Sequence, residues 1–320
     1  MITPIVLLIM GLAILLFGGD IFVRGSASVA RNFRIPPLVI GLTIVAFGTS
    51  APELVVNIFS AVQGASDIAL GNVLGSNISN IFLVLGIAAI IYPLTVKEGT
   101  TWKEIPFGFL AVVVLFFLAN DTLFGGEGPA MLSRTDGLVL VSFFMIFIVY
   151  IFGLIKVQGE SEGVKKYPLP ISLLFILGGI ALLVLGGKII VDNGVLLARL
   201  AGWSELLIGV TFTAIGTSLP ELVTSAIAAF RKHVDIAVGN VVGSNVFNIL
   251  WVMGITPIIA PIEVSSAANV DITIAMLAAI LLFAAMFSNG RFKKHTLSRL
   301  QGVFFVLFYI VYITFVAFRG

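Results

Sequence analysis

The 320-residue sequence contains no cysteine, only two histidines and few charged residues of either sign. The absence of cysteine excludes disulfide bonds, thiolate nucleophiles and cysteine-ligated metal sites. Charged residues make up 11% of the chain and hydrophobic residues 59%. Because a soluble globular domain carries about 25% charged residues, this composition predicts a protein embedded in a membrane.

Long apolar runs recur along the chain, separated by short polar segments. A helix needs about 20 apolar residues to cross about 30 Å of hydrocarbon. The runs therefore predict an all-α integral membrane protein with ten transmembrane helices. The fourth, fifth, ninth and tenth spans are almost uniformly apolar, which indicates a structural role. The predicted spans are residues 3–24, 37–61, 68–92, 104–119, 135–155, 169–190, 206–229, 236–260, 271–288 and 301–318.

One unit occurs twice in the chain. Residue n aligns with residue n+168 without a gap from Gly18 to Pro93. Identities number 12 in the 23 positions from 39 to 61, and 14 in the 21 positions from 67 to 87. A match of this length indicates a duplicated unit rather than chance similarity.

The duplication predicts the domain organisation. Two five-helix repeats, residues 1–155 and 169–320, are joined by a short linker at residues 156–168. Because five is an odd number of spans, the second repeat enters the membrane from the opposite face. The two repeats are therefore predicted to be inverted relative to each other, as in many secondary transporters.

The basic residues are distributed unevenly between the two membrane faces. Under the ten-span prediction, fourteen of the eighteen Lys and Arg lie in loops on the side opposite the termini. Basic residues near span ends are retained in the cytoplasm. We therefore predict a multi-pass protein of the cell membrane with both termini outside and the 156–168 linker in the cytoplasm.

A six-residue motif with a glutamate stands inside an apolar run of each repeat. The copies are Gly48-Thr49-Ser50-Ala51-Pro52-Glu53 and Gly216-Thr217-Ser218-Leu219-Pro220-Glu221. Placing a carboxylate in hydrocarbon costs roughly several kcal/mol of free energy, unless the group is paired or faces a polar cavity. An acidic residue within a membrane span therefore indicates a functional site. Two acids at equivalent repeat positions strengthen that interpretation.

The proline of this motif predicts a broken helix. Pro52 has no amide hydrogen and clashes with the carbonyl of Gly48, so that carbonyl is freed and the Thr49 carbonyl is loosened. Irregular backbone at membrane depth is tolerated only when it is buried in protein or lines a wet cavity. Carbonyl, hydroxyl and carboxylate oxygens should therefore converge around Glu53, and likewise around Glu221.

A second motif, Gly-Asn-x-x-Gly-Ser-Asn-x-x-Asn, lies in the third span and again in the eighth. Its serine and last asparagine are four residues apart and share a helix face, which gives Ser76 with Asn80 and Ser244 with Asn248. The two glycines of each copy form a small-xxx-small pattern that allows close helix packing. We interpret the Ser/Asn face as ligands because it recurs beside each glutamate-bearing span. Interhelical hydrogen bonding is the structural alternative.

The candidate groups are all hard oxygen donors. Sites made only of oxygen suit calcium, sodium, magnesium or manganese rather than copper or structural zinc. Calcium tolerates flexible, higher coordination, so a site assembled between moving helices fits it best. Two glutamates can neutralise one Ca²⁺ or hold several Na⁺, and exclusive occupancy of one acidic pocket is a physical basis for exchange.

These paired motifs resemble the two alpha-repeats of the calcium/cation antiporter superfamily, specifically its sodium/calcium exchangers of the prokaryotic type without a regulatory domain. The resemblance covers essentially the whole chain. It implies ten helices in inverted repeats and a sodium/calcium antiporter that works by alternating access around a site in the middle of the membrane. By motif position, it implies that Ca²⁺ is bound by the Glu53 and Glu221 carboxylates and the Thr49 and Thr217 carbonyls. The implied sodium positions add Ser50, Ser76, Asn80, Ser218, Ser244 and Asn248, and the carbonyls of Ala46 and Ala214.

Two features bear on which branch of the superfamily this is. Position 248 is Asn where some exchangers, including potassium-dependent ones, carry Asp, which argues against a potassium requirement and leaves the stoichiometry open. The 156–168 linker is too short for the cytoplasmic regulatory domain of animal exchangers. Proton/calcium exchangers tend to have Gly-Asn-x-x-Glu in place of Gly-Thr-Ser-x-Pro-Glu, so a proton/calcium antiporter is the alternative.

Other classes of protein fit less well. A cation channel stays open as an alternative, because oxygen-lined acidic sites also occur in pores. A serine hydrolase would need a base near Ser50 or Ser218, yet His233 and His295 lie in predicted loops. We therefore predict no enzymatic activity and no cofactor. The predicted partners are the transported Ca²⁺ and Na⁺, with H⁺ as the alternative, and the lipid bilayer; no nucleic acid is expected, and a monomer is compatible with the sequence.

Overall fold

The structure is a computed structural model that describes residues 2–121, 130–155, 166–201, 216–287 and 295–319. Its secondary structure is almost entirely helical. The helices are α1 (Ile2–Phe33), α2 (Pro37–Thr49), α3 (Ala51–Val62), α4 (Ser66–Ile91), α5 (Thr100–Ala119), α6 (Arg134–Ile155), α7 (Leu169–Leu200), α8 (Leu219–Phe230), α9 (Val234–Ile259), α10 (Ser266–Ala285) and α11 (Arg299–Arg319).

The lengths and composition of these helices confirm a polytopic α-helical membrane protein. Eight are long and apolar enough to cross a membrane, and α2 with α3 makes a ninth if that bent pair counts as one span. Helix α8 is apolar but has only 12 residues. The first part of the predicted span 206–229 lies outside the described residues, as does most of the 156–168 linker. The seventh predicted span, and with it the total of ten, therefore stays a prediction.

Helices α1 and α7 are longer than their apolar runs. Each has 32 residues, whereas hydropathy predicted spans that end at residues 24 and 190. Hydropathy drops at Arg24, but the chain stays helical beyond it because Ala27 and Ala30 are buried against neighbouring helices. The extra turns of α1 are buried on all sides from Gly25 to Ala30, including the polar Ser26 and Ser28.

Helices α4 and α9 form the centre of the molecule. The spanning helices differ in the buried share of their most apolar 18 residues. This share is 78% in α4 and 94% in α9, and it is 39% or less in the other spanning helices. The outer helices expose many large apolar side chains, which suits contact with lipid. The two helices that carry the Ser/Asn motif are therefore the two that the rest of the chain surrounds.

Two short antiparallel strand pairs join the halves of the chain. The strands are β1 (Leu94–Thr95), β2 (Met131–Leu132), β3 (Ile262–Glu263) and β4 (Thr296–Leu297). Strand β1 pairs with β4, and β2 pairs with β3. Strands β1 and β3 begin 168 residues apart, and β2 and β4 begin 165 residues apart, so each pair combines one strand from each half at nearly equivalent positions. The repeats are thus interlocked at two places rather than packed side by side.

Helices α1 and α7 pack with their backbones in close contact through glycine. A Cβ atom at Gly186 would lie 2.7 Å from the Leu15 nitrogen and 2.9 Å from the Gly11 carbonyl oxygen. At Gly179 it would lie 2.6 Å from the Phe22 Cβ. Small residues at such crossings let helices approach closely in lipid, where no hydrophobic effect drives them together. The long α1 and α7 therefore form one closely packed pair.

Replacement of one of these glycines tests the close packing. We expect Gly186→Ala to lower the free energy of unfolding by about 1–3 kcal/mol, because the new methyl group forces the helices apart. Gly187→Ala is the matched control, since the nearest described atom to its Cβ is Leu15 Cδ1 at 3.9 Å. Thermal stability in detergent measures the difference. Equal melting temperatures for the two variants would show that the helices are not in backbone contact.

The predicted close packing of the motif glycines is confirmed for α9. A Cβ at Gly239 would lie 2.8 Å from the Leu38 carbonyl, and one at Gly243 would lie 2.8 Å from the Leu42 carbonyl. Both contacts are with α2. For Gly71 and Gly75 in α4, the equivalent contact residues are 206 and 210, which lie outside the described residues.

An ion pair stands near the middle of α1 and has a counterpart in α7 with the charges exchanged. Arg24 lies 2.7 Å from Asp20, and Lys188 lies 3.1 Å from Asp192. The α7 pair is exposed, but Asp20 is only 23% exposed because Arg231, just after α8, also donates to it. The α1 pair therefore has a second role, since it connects α1 to the end of α8.

Candidate functional site

The helix break predicted from Pro52 is present. Helix α2 ends at Thr49, α3 begins at Ala51, and their axes are bent by 45° at Ser50. Pro52 is the second residue of α3, where its missing amide hydrogen costs nothing because no intrahelical acceptor is available there. The break places backbone and side-chain oxygens at the centre of the bundle.

The second copy of the motif also begins a helix with proline as its second residue. Thr217 and Ser218 form a turn, and α8 begins at Leu219 with Pro220 as its second residue. Glu53 and Glu221 consequently stand in the first turns of α3 and α8. In both halves, the helix that carries the glutamate begins at the residue after the motif serine. Residues 202–215, which precede the second motif, lie outside the described residues.

Glu53 and Glu221 are both buried and both accept hydrogen bonds from serine hydroxyls. Their exposed fractions are 0% and 1%. Glu53 Oε1 accepts a hydrogen bond from the Ser76 hydroxyl at 3.4 Å, and Glu221 Oε1 accepts one from the Ser50 hydroxyl at 2.9 Å. The second contact crosses between the repeats. The structure therefore brings the two predicted carboxylates into one site.

Hydroxyl groups from both halves surround the carboxylates. The Thr49 hydroxyl lies 3.4 Å from that of Ser244, and the Ser76 hydroxyl lies 3.5 Å from that of Thr217. The two contacts are equivalent under the 168-residue repeat. Each glutamate-bearing break therefore faces the Ser/Asn helix of the other half.

The two predicted amide ligands stand where the regular helix is interrupted. Helix α4 contains a π-helical turn at Asn80–Val84, and α9 contains one at Phe247–Val252, which includes Asn248. Such turns are frequent at functional sites because they shift the hydrogen-bond ladder and redirect side chains. Asn80 and Asn248 are both fully buried, at 1% and 0% exposed.

Several oxygen atoms of this site have no hydrogen-bond partner among the described residues. A buried polar atom without a partner costs about 1–3 kcal/mol, and more if it is charged. Oxygens of this kind are the ligands that calcium and sodium prefer. They suit a bare cation better than a neutral solute, which would also need donors matched by acceptors. The unpartnered oxygens are Glu53 Oε2, Glu221 Oε2, Ser218 Oγ, Asn80 Oδ1 and Asn248 Oδ1.

The site combines two charged ligands with several neutral ones. Within the described ranges, no group of three or more His, Cys, Asp or Glu side chains could hold a metal ion. The two carboxylates are instead supplemented by neutral hydroxyl and amide oxygens. This arrangement suits a cation that enters and leaves.

Two predicted backbone ligands have different outcomes. Ala46 is buried beside the break, and its carbonyl accepts a hydrogen bond from the Ser50 nitrogen at 3.0 Å. The Thr49 hydroxyl lies 3.3 Å from the same carbonyl, but its single hydrogen has nearer acceptors in Asn240 Oδ1 at 3.0 Å and the Val45 carbonyl at 3.1 Å. A carbonyl oxygen accepts two bonds, so one position on the Ala46 oxygen is available to a cation. Ala214 lies outside the described residues.

Four asparagines that sequence reasoning left unassigned hold the site together. Asn72 donates to the Asn57 side chain at 2.6 Å and to the Glu53 carbonyl at 3.3 Å. Its repeat mate Asn240 donates to the Ser225 hydroxyl at 2.9 Å and to the Glu221 carbonyl at 3.4 Å. Both belong to the duplicated Gly-Asn-x-x-Gly-Ser-Asn motif, which was the available signal.

The other two are Asn77 and Asn245, where α4 and α9 cross. The Asn77 side chain donates to the Asn245 carbonyl at 3.1 Å, and the Asn245 side chain donates to the Asn77 carbonyl at 3.4 Å. This reciprocal pair has the geometry expected of residues related by a two-fold axis. It joins the central helices of the two halves.

Two buried acids in the outer helices were also missed. Glu104 in α5 accepts a hydrogen bond from Tyr150 of α6, and Asp271 in α10 is bound by Arg319 of α11 at 2.8 Å. Hydropathy placed both acids at the edge of a predicted span, but α5 and α10 begin earlier, so each acid lies within a helix and is buried. The outer helices are therefore less uniform than predicted.

Comparison with known proteins gives a consistent result. A family model described as "Sodium/calcium exchanger protein" matches residues 3–153 and 171–318. The gap between the two matched segments includes the short linker. The model thus matches nearly all of both halves of the chain.

Individual relatives are similar over almost their full length. The chain is 38% identical to the inner membrane protein YrbG of Escherichia coli, over 89% of each chain. It is 30% identical to the sodium/calcium exchanger MaX1 of Methanosarcina acetivorans, over 96% of each. A solved structure of the sodium-calcium exchanger NCX_Mj superposes with a TM-score of 0.81 at 32% identity and covers 98% of both chains.

Proposed function

Because this chain belongs to the sodium/calcium exchanger protein family, we propose that it is a secondary active antiporter that exchanges sodium for calcium across the membrane by alternating access. One observation carries the proposal. Two buried carboxylates from opposite halves stand in the first turns of α3 and α8, and several oxygens of the site have no hydrogen-bond partner among the described residues.

Calcium binds, in this proposal, between the two carboxylates. Ca²⁺ takes six to eight oxygen ligands at about 2.3–2.6 Å and accepts irregular geometry. The unpartnered Oε2 atoms of Glu53 and Glu221 supply charge that one Ca²⁺ neutralises. The carbonyls of Thr49 and Thr217, at the ends of the broken segments, complete the set.

Sodium occupies the same pocket by using the neutral oxygens around the carboxylates. These ligands are Ser50, Ser218, Ser76, Ser244, Asn80 and Asn248, with the carbonyls of Ala46 and Ala214. Several Na⁺ would share the glutamate oxygens that one Ca²⁺ requires. Calcium and sodium then exclude each other, and neither can complete a transport cycle while the other holds the carboxylates. This mutual exclusion couples the two fluxes.

Alternating access follows from two inverted repeats, residues 1–155 and 169–320, which we propose to be joined by a cytoplasmic linker at 156–168, with both termini outside. The symmetric strand pairs and the reciprocal Asn77–Asn245 contact support the two-fold arrangement. Helices α1 and α7 are the proposed moving pair. Their mutual glycine packing favours movement as a unit against the rest of the bundle.

The direct test is calcium uptake into proteoliposomes under different imposed gradients. Vesicles loaded with sodium and diluted into sodium-free medium should take up calcium. The uptake should disappear when choline replaces sodium inside. An imposed proton gradient without sodium should give no uptake, because the pocket releases calcium only in exchange for sodium.

The other possible outcomes would assign the protein to a different class of calcium transport protein. Uptake that follows the proton gradient and ignores sodium would make the chain a proton/calcium antiporter. Calcium flux that needs no counter-gradient would indicate a channel. Empty liposomes prepared with the same detergent provide the baseline for leakage.

A further inference from the structure

The hydrogen bonds around the amide ligands differ between the two halves. Asn80 Nδ2 donates to Asn245 Oδ1 at 3.0 Å. The equivalent bond in the other half would run from Asn248 Nδ2 to Asn77 Oδ1. Within the part of the chain that the structure describes, both of those atoms are buried without a partner.

A second contact differs in the same direction. The Ser50 hydroxyl donates to Glu221, but its repeat mate Ser218 has a buried hydroxyl without a described partner. In both cases the first-repeat ligand is held by a second-repeat acceptor. The sequence of the motifs is the same in both halves at these positions, so composition does not explain the difference.

Inverted repeats give this asymmetry a specific meaning. In transporters built from such repeats, the two halves exchange conformations between the two end states. A bond made by one half in one state should then be made by the other half in the opposite state. Asn77 Oδ1 and Asn248 Nδ2 are the acceptor and donor that this exchange requires.

We propose that Asn77 and Asn245 are positioning residues that alternately hold the amide nitrogens of Asn248 and Asn80. An amide whose nitrogen is held must direct its oxygen elsewhere. In the described structure, Asn80 Oδ1 is buried and has no partner, so it is directed to accept a cation. The reciprocal Asn77–Asn245 bonds do not depend on the exchange, so α4 and α9 stay joined while the ligands alternate.

This inference rests on the proposed antiport, because it assumes two end states of one pocket. Its test uses distances rather than transport. The chain has no cysteine, so Leu12→Cys in α1 and Leu138→Cys in α6 provide the only spin-label sites. Both leucines are exposed, and they lie on a helix of the proposed moving pair and on a helix outside it. Electron spin distance measurements then report the populations of the two states.

Asn245→Ala and Asn77→Ala are matched variants, because each removes one of the two reciprocal bonds. They differ in which state they weaken. Asn245→Ala should lower the population that matches the described structure, and Asn77→Ala should raise it, each by about fivefold, the ratio set by one hydrogen bond of ordinary strength. If the alanine variants do not fold, Asn245→Ser and Asn77→Ser make the same comparison.

Shifts in opposite directions support the proposal. Shifts in the same direction, no shift in either variant, or one distance population in all proteins would overturn it. None of these readings depends on the transported ion. A sodium-independent calcium flux would therefore refute the proposed function without affecting the distance result.

Discussion

Glu53→Gln and Glu221→Gln are each expected to reduce calcium uptake at least about 100-fold, because a divalent cation loses one of its two charged ligands. At an effective dielectric constant of about 20, a unit charge pair 4 Å apart is worth about 4 kcal/mol, which is close to a thousandfold in binding. Uptake by sodium-loaded proteoliposomes measures the loss. Glu263→Gln is the matched control, since Glu263 is an exposed acid in β3.

The loss of calcium uptake must come from folded variants and not from misfolding. Both glutamines fit the same space as the glutamates, and each removes repulsion between two close carboxylates. Without calcium, the variants should therefore be at least as stable to heat as the original protein. Added calcium should stabilise the original protein by RT ln(1 + [L]/Kd) and leave the variants unchanged. Retained transport in either folded variant would show that the two carboxylates do not share one calcium site.

The repeat made much of this site predictable. Residues 168 apart identified Glu53 with Glu221 and Ser76 with Ser244 before any geometry was known, and proline chemistry predicted the break at Ser50. These features depend on residue type and local spacing. Hydrogen-bond contacts in the structure join Thr49 to Ser244, Ser50 to Glu221, and Ser76 to both Glu53 and Thr217.

What the sequence did not reveal depends on partners distant in the chain. The hydropathy pattern places Glu104 at the edge of a span. It does not reveal that the Tyr150 hydroxyl donates a hydrogen bond to Glu104, which allows this acid to be buried within the helix. The hydropathy pattern also predicts that the first span ends near Arg24. The helix continues because Ala27 is buried by other helices, which local sequence does not show. The difference between Asn80 and Asn248 is also invisible in the sequence, since identical residues in a duplicated motif take different partners in one conformation.

The buried asparagines that hold the glutamate-bearing helices give the second large effect. Asn240→Leu should lower the free energy of unfolding by roughly 2–4 kcal/mol, because two buried groups lose their donor. Those groups are the Ser225 hydroxyl and the Glu221 carbonyl. Asn72→Leu removes the equivalent bonds to Asn57 and Glu53 and should cost about as much.

The control for this effect is Asn193, whose side-chain hydrogen bond within the described part of the chain is to its own helix. Asn193→Leu removes one local bond to the Ile189 carbonyl, so it should change the melting temperature little. Calcium binding separates a local from a general defect, because loss of the Asn240 bonds releases the start of α8 that positions Glu221. We therefore expect the calcium concentration for half-maximal thermal stabilisation to rise in Asn240→Leu and Asn72→Leu but not in Asn193→Leu. If all three variants bind calcium alike, the asparagines contribute packing alone, and the carboxylates are positioned by the helix breaks without them.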